Sequence, residues 1–270
     1  MQPVKEVKCQ IDIRRSLLFI LNLIKMKEQI NNAIVLLKEQ KINGCITGSC
    51  LLDYFEGQDI DLFVYDKASF TKILWFMYYN PMFNILDPLE NHKFKDFVDN
   101  DKSSLEQLGL ITIKFKYNLC VDVNIIYKKF NKTCFDVISN FDLDIVAVGY
   151  DIKTGKTLNL RETTGLECTW NKWNSSFYQN EFWSTKRLLR QFERVIKYTE
   201  RGYDLSSVTD KYISIVEEII QSENFYKTEK GTKYFEDNIE TFEVVLKILQ
   251  EWKKNKAISP AELLTLKTLI

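Results

Sequence analysis

Apolar residues at Leu17, Ile20, Leu21, Ile24, Ile30, Ile34 and Leu37 recur with a helical period, which predicts a helix over 13–40. Asn43-Gly44 breaks that pattern. Cys45-Ile46-Thr47 is short and β-prone and stops at Gly48-Ser49. Residues 50–56 suit a helical turn. Asp59-Ile60-Asp61-Leu62-Phe63-Val64 alternates strictly and reads as a strand. Residues 67–79 are apolar and aromatic and predict a helix, whereas 81–106 are polar and show no assignable pattern. Leu110–Tyr117 and Leu119–Tyr127 alternate on either side of Asn118, as two antiparallel strands would. Phe141–Tyr150 reads as a further strand. Lys153-Thr154-Gly155-Lys156 then turns into Thr157–Leu160, as in a hairpin. Beyond about 165 alternation stops, and helical periodicity covers 182–201, 207–221 and 234–254. Ser259-Pro260-Ala261-Glu262 reads as a capping box that opens a last short helix. The expected fold class is α+β: a mixed sheet flanked by helices over 1–165, followed by an α-helical domain over 166–270.

The chain has 270 residues, enough to bury a sizeable core. Its 37 basic and 37 acidic residues cancel, which excludes a global basic field for gripping nucleic acid. Six cysteines, no Cys-x-x-Cys and one histidine, His92, argue against a Cys/His zinc site. The thiols read as reduced and mostly buried, as in a cytoplasmic protein, and His92 as a surface loop residue. The apolar run Leu17–Ile24 is too short for a membrane span, which needs about 20 residues. No membrane partner is expected.

The chemistry concentrates between 46 and 62. Residues two apart on a strand share a face, so Asp59 and Asp61 project together while Ile60, Leu62 and Val64 enter a core. Side-by-side carboxylates repel unless solvated or neutralised by a cation. Mg²⁺ suits them and commonly brings phosphate oxygens as further ligands. Gly48 would let backbone N–H groups approach a phosphate, and the Ser49 hydroxyl adds a donor. A third carboxylate would complete a two-metal site for in-line phosphoryl displacement. Asp122 qualifies, because the opposite phase of its strand (119, 121, 123, 125) is wholly apolar. Asp142 and Asp144 compete for the same role.

Ile46-Thr47-Gly48-Ser49, Asp59-x-Asp61 and a later hydrophobic-Asp122-hydrophobic together resemble the DNA polymerase β-type nucleotidyltransferase superfamily. The resemblance covers roughly 30–165 and is sharpest over 45–66. It implies a nucleotidyltransferase-type mixed sheet. It further implies that Gly48 and Ser49 contact a nucleoside triphosphate, that Asp59 and Asp61 bind two Mg²⁺ (or Mn²⁺) ions, and that Asp122 binds one of them. The implied activity is transfer of a nucleoside monophosphate from an NTP to a hydroxyl acceptor, with pyrophosphate released. An RNA 3′ end, tRNA-like or single-stranded, is the first choice of acceptor. A protein hydroxyl, a small molecule and a binding-only descendant stay open.

Two further features bear on that reading. Arg187, Arg190, Arg194, Lys197 and Arg201 form one helical stripe opposite Leu188, Leu189, Phe192, Val195 and Ile196. Lys186, Arg187 and Arg190, nearest the helix start, are candidates for binding the triphosphate or an RNA backbone. A solvated face answered by Glu193 and Glu200 is the plainer reading of the stripe. Trp170, Trp173, Phe177, Tyr178, Phe182 and Trp183 crowd the junction, where they could stack on a base or cement packing.

Overall fold

The computed structural model describes residues 24–52, 59–99, 110–174, 185–221 and 239–255. They form a mixed α/β fold built on one sheet. Its strands are β1 (Gly44–Thr47), β2 (Ile60–Val64), β3 (Phe83–Asn84), β4 (Leu110–Tyr117), β5 (Val121–Lys128), β6 (Val148–Asp151) and β7 (Thr157–Asn159). Their order is β3-β4-β5-β2-β1-β6-β7. Only the β2–β5 pair is parallel. The helices are α1 over 24–39, α2 (Lys67–Tyr79), α3 (Pro88–Asp99), α4 (Cys134–Ile138), α5 (Thr185–Glu200), α6 (Ser206–Gln221) and α7 (Ile239–Asn255). The chain divides into two compact units, Met1–Ser139 with Val146–Leu160, and Asn140–Ile145 with Arg161–Ile270. Among the described residues, no helix is long and apolar enough to cross a membrane.

In the first unit, one sheet face makes the core. Ile46, Leu62, Ile125 and Ile113 are cross-strand neighbours in one row, and all are fully buried. Ile30, Ala33, Ile34 and Leu37 of α1 and Phe70, Ile73, Leu74 and Met77 of α2 belong to the same cluster. Ile24, expected to face the core, is exposed. The earlier part of the predicted 13–40 helix lies outside the described residues. Asp66 caps α2, accepting from the backbone N–H of Ser69 at 2.7 Å and from Asn43 Nδ2 at 2.9 Å. Partial burial raises the Asp66 carboxyl, but these hydrogen bonds outweigh it and leave the group below the usual carboxylate range.

Two sequence expectations are corrected, and one unassigned stretch gains structure. The stretch 81–106 contains β3 and α3, and the rest of it, 100–106, is outside the described residues. Asp87 Oδ1 accepts from the Leu89 N–H, and Pro88 takes the first helical position, so α3 begins as capped helices do. His92 sits exposed on α3 rather than in a loop. The run Phe141–Tyr150 is a strand only from Val148; a short 3-10 turn, Asp144–Val146, precedes it. The expected helix from 259 is outside the described residues.

In the second unit, α6 packs on α7, and Phe192, Val195 and Tyr198 form the buried side of α5. Gly202, at φ +85, ends α5. Trp170 is buried against Tyr212, with ring centroids 6.4 Å apart, so it packs rather than offering a stacking face. Trp173 is exposed beside Lys172. Phe177, Tyr178, Phe182 and Trp183 are outside the described residues.

Candidate functional site

The second face of the sheet is polar because alternation puts it there. Register aligns Gly149, Thr47, Asp61, Asn124 and Lys114 in one row across β6, β1, β2, β5 and β4. Two residues back along the β2 direction lies Asp59, level with the next register pair on this face, Asp122–Lys116. Short α4 covers the β1–β6 end of this face. A Cβ on Gly149 would lie 2.4 Å from Cys134 Sγ, so only glycine admits that helix. At the β4 end a cleft of about 240 Å³ stays open, lined by Asp59, Asp122, Asn124, Lys114, Lys116 and Glu90 among others. Glu90, on α3, is buried and accepts the Lys114 backbone N–H at 3.0 Å. That bond satisfies a ladder donor that short β3 leaves uncovered.

Asp59 and Asp61 share the face as alternation predicts, and both are half-buried. Asn124 Nδ2 donates to Asp59 Oδ2 at 3.1 Å and to Asp61 Oδ1 at 2.9 Å. Asp122 lies on the same strand face as Asn124 but is paired with Lys116, at 2.7 Å. Among the described residues, no group of three or more His, Cys, Asp or Glu side chains is arranged to hold a metal ion. The chain therefore brings two carboxylates together and holds the third on a lysine. The donor set still suits a hard cation: two carboxylates and an amide whose oxygen is buried with no hydrogen-bond partner among the described residues.

Gly48 has φ +84, and a Cβ built on it would be 3.4 Å from Asp61 Oδ2. The backbone thus turns at close range past a site carboxylate. Ser49 follows, buried, in the 3-10 turn Gly48–Leu51. Gly48→Ala is expected to cost about 1–2 kcal/mol, from the left-handed backbone alone. Urea unfolding of the variant measures it, and an unchanged midpoint would contradict the turn.

Cys50 is buried, and its Sγ donates to the Thr47 carbonyl. Burial first, then the Asp61 charge, pushes its thiol up to about 12. It stays protonated at neutral pH. Maleimide labelling of the native protein at pH 7.5 is expected to modify Cys120, the exposed thiol among the described cysteines, and to spare Cys45, Cys50, Cys134 and Cys168.

The alternatives Asp142 and Asp144 are not paired on a strand. Asp144 is buried, and its Oδ2 accepts from Thr163 Oγ1 at 2.6 Å and the Thr163 N–H at 3.0 Å. Its other oxygen takes the Thr169 N–H at 2.9 Å. Asp142 is buried and engaged by Arg194, Nη2 to Oδ1 at 2.8 Å. Both carboxylates hold the second unit together. The same contact removes Arg194 from the ligand-gripping stripe. Arg190 is exposed on α5, as both the binding and the solvated-face readings of the stripe expect. Lys186 and Arg187 lie on that helix, but their side chains are outside the described residues.

Sequence reasoning passed over Asn124 and Lys116. The signal was present: Asp122-Val123-Asn124 alternates like Asp59-Ile60-Asp61, so Asn124 must share the acidic face. An uncharged amide drew no notice. No family model matches this chain, and no curated protein or solved structure matches it either.

Proposed function

We propose that the first unit is a nucleotidyltransferase-type catalytic fold, that the helices after it form an accessory domain, and that the Asp59–Asp61 face is a metal-dependent nucleotidyl-transfer site. One observation carries the reading. Two carboxylates sit on the open face of a central strand, with the Gly48 turn against one of them and an open cleft beside the other. Asp59 and Asp61 would hold Mg²⁺, with Asp122 available to a second ion once Lys116 releases it. Bound there, the cation would neutralise charge growing on the α-phosphoryl group and on departing pyrophosphate. Gly48 and Ser49 would receive the β- and γ-phosphates. An acceptor hydroxyl oxygen attacks the α-phosphorus as the bond to the β-phosphate oxygen breaks. A carboxylate of the pair takes the hydroxyl proton. The acceptor we favour is an RNA 3′ end, with Lys186, Arg187 and Arg190 as candidates for its backbone or for the triphosphate. RNA binding would then weaken steeply with salt, and Arg190→Ala would flatten that slope.

Nucleotide binding without turnover is the second reading. The Lys116–Asp122 ion pair favours it, since a neutralised third acid contributes little to charge stabilisation.

Thermal melting tests the site. Mg²⁺ with an NTP at about 100 times its dissociation constant is expected to stabilise the protein by about 2.7 kcal/mol. The Asp59→Asn/Asp61→Asn variant is expected to show no such shift. Equal shifts in both proteins would remove the site from this face.

A further inference from the structure

Asn124 stands directly opposite Asp61 in the parallel β2–β5 register and is only 9% exposed. One amide nitrogen reaches both carboxylates, at 3.1 and 2.9 Å. Carboxylates that share a single amide are close enough to repel, and a neutral donor offsets only part of that repulsion. The other end of the same amide is unsatisfied: Oδ1 is buried with no hydrogen-bond partner among the described residues. A buried acceptor without a donor is costly, and turning the amide over would bring Oδ1 to the place Nδ2 now holds, where a cation between the carboxylates would satisfy it. Two carboxylates and one spare amide oxygen are the ligand chemistry of a hard divalent cation. Asp122, by contrast, is half exposed and held by Lys116.

We propose that Asn124 is a positioning residue for the Asp59–Asp61 pair, its amide N–H groups standing in for the cation in the metal-free protein and its amide oxygen setting how tightly a divalent cation is held. The inference rests on the metal-dependent reading above. It accounts for a neutral residue at this position. A carboxylate at 124 would add a third negative charge to a pair that already repels itself. An apolar residue would leave both acids without their shared donor.

The test uses the full chain with Asn124→Asp, Asn124→Leu and Asp59→Asn/Asp61→Asn variants. Mn²⁺ affinity is read by electron paramagnetic resonance, and melting temperature is measured at pH 7 in chelator. Asn124→Asp is expected to bind Mn²⁺ about tenfold or more tighter, as an added carboxylate beside the cation should. Asn124→Leu is expected to bind it more weakly. Without metal, Asn124→Asp places a third carboxylate against two that lose their shared donor. It should therefore melt below wild type at pH 7. A merely structural asparagine would make both substitutions lower Mn²⁺ affinity, or leave it unchanged, and either result overturns the proposal. If Asn124→Leu fails to fold, Asn124→Ser takes its place. Wild type and Asp59→Asn/Asp61→Asn binding Mn²⁺ equally would instead sink the metal reading. The metal-free melts then judge the amide bridge alone, and coincident curves for wild type and Asn124→Asp would overturn it.

Discussion

Replacing Asp59 and Asp61 with asparagine is expected to lower nucleotidyl transfer by about 10³-fold or more while leaving the fold intact. The physical reason is local. Both side chains lie on the polar face, and their neighbours Ile60 and Leu62 supply the buried contacts. The substitution keeps shape and removes charge. A divalent cation loses both anionic ligands, and with them several kcal/mol of transition-state charge stabilisation, each 1.4 kcal/mol being tenfold in rate. The metal-free melting temperature should hold or rise, because two carboxylates that share the Asn124 amide no longer repel. Rate and melting point thus move independently. A variant that loses activity only by unfolding would refute the account.

The second large effect is on stability and lies in the second unit. Arg194→Ala is expected to cost about 3 kcal/mol, because it strands the Asp142 carboxylate, which is only 7% exposed. The backbone N–H of Leu143, 2.9 Å from Oδ1, remains as a partner but does not neutralise the charge. Asp142→Asn in the Arg194→Ala background should recover part of the loss, since the buried charge goes with it. Guanidinium unfolding of the single and double variants measures both. Additive losses would mean that the pair does not couple.

Local pattern revealed the strands that build the site. Asp59 and Asp61 alternate against Ile60 and Leu62, and β4 and β5 flank Asn118 much as the alternation predicted. Gly48 was legible too, because a glycine between a short strand and a turn is where a positive φ is expected. The failures around the site share one physical root. Asp142 and Asp144 mimic a strand face, yet their partners are Arg194, Thr163 and Thr169, far along the chain and invisible to any short window. Arg194 looked like ligand-binding surface for the same reason. Lys116 and Asp122 face each other only once the β4–β5 register is known. The start of α3 was readable from Asp87-Pro88, and the polarity of the segment hid it.

The central claim is that the Asp59–Asp61 face transfers a nucleotide. Its most direct measurement is incorporation of α-labelled NTP, with Mg²⁺ or Mn²⁺, into RNA, protein and a small-molecule extract offered separately. The account predicts label in one acceptor class with wild type and none with Asp59→Asn/Asp61→Asn. Equal label from both proteins, or none from a wild type that Mg²⁺ and NTP demonstrably stabilise, would contradict it.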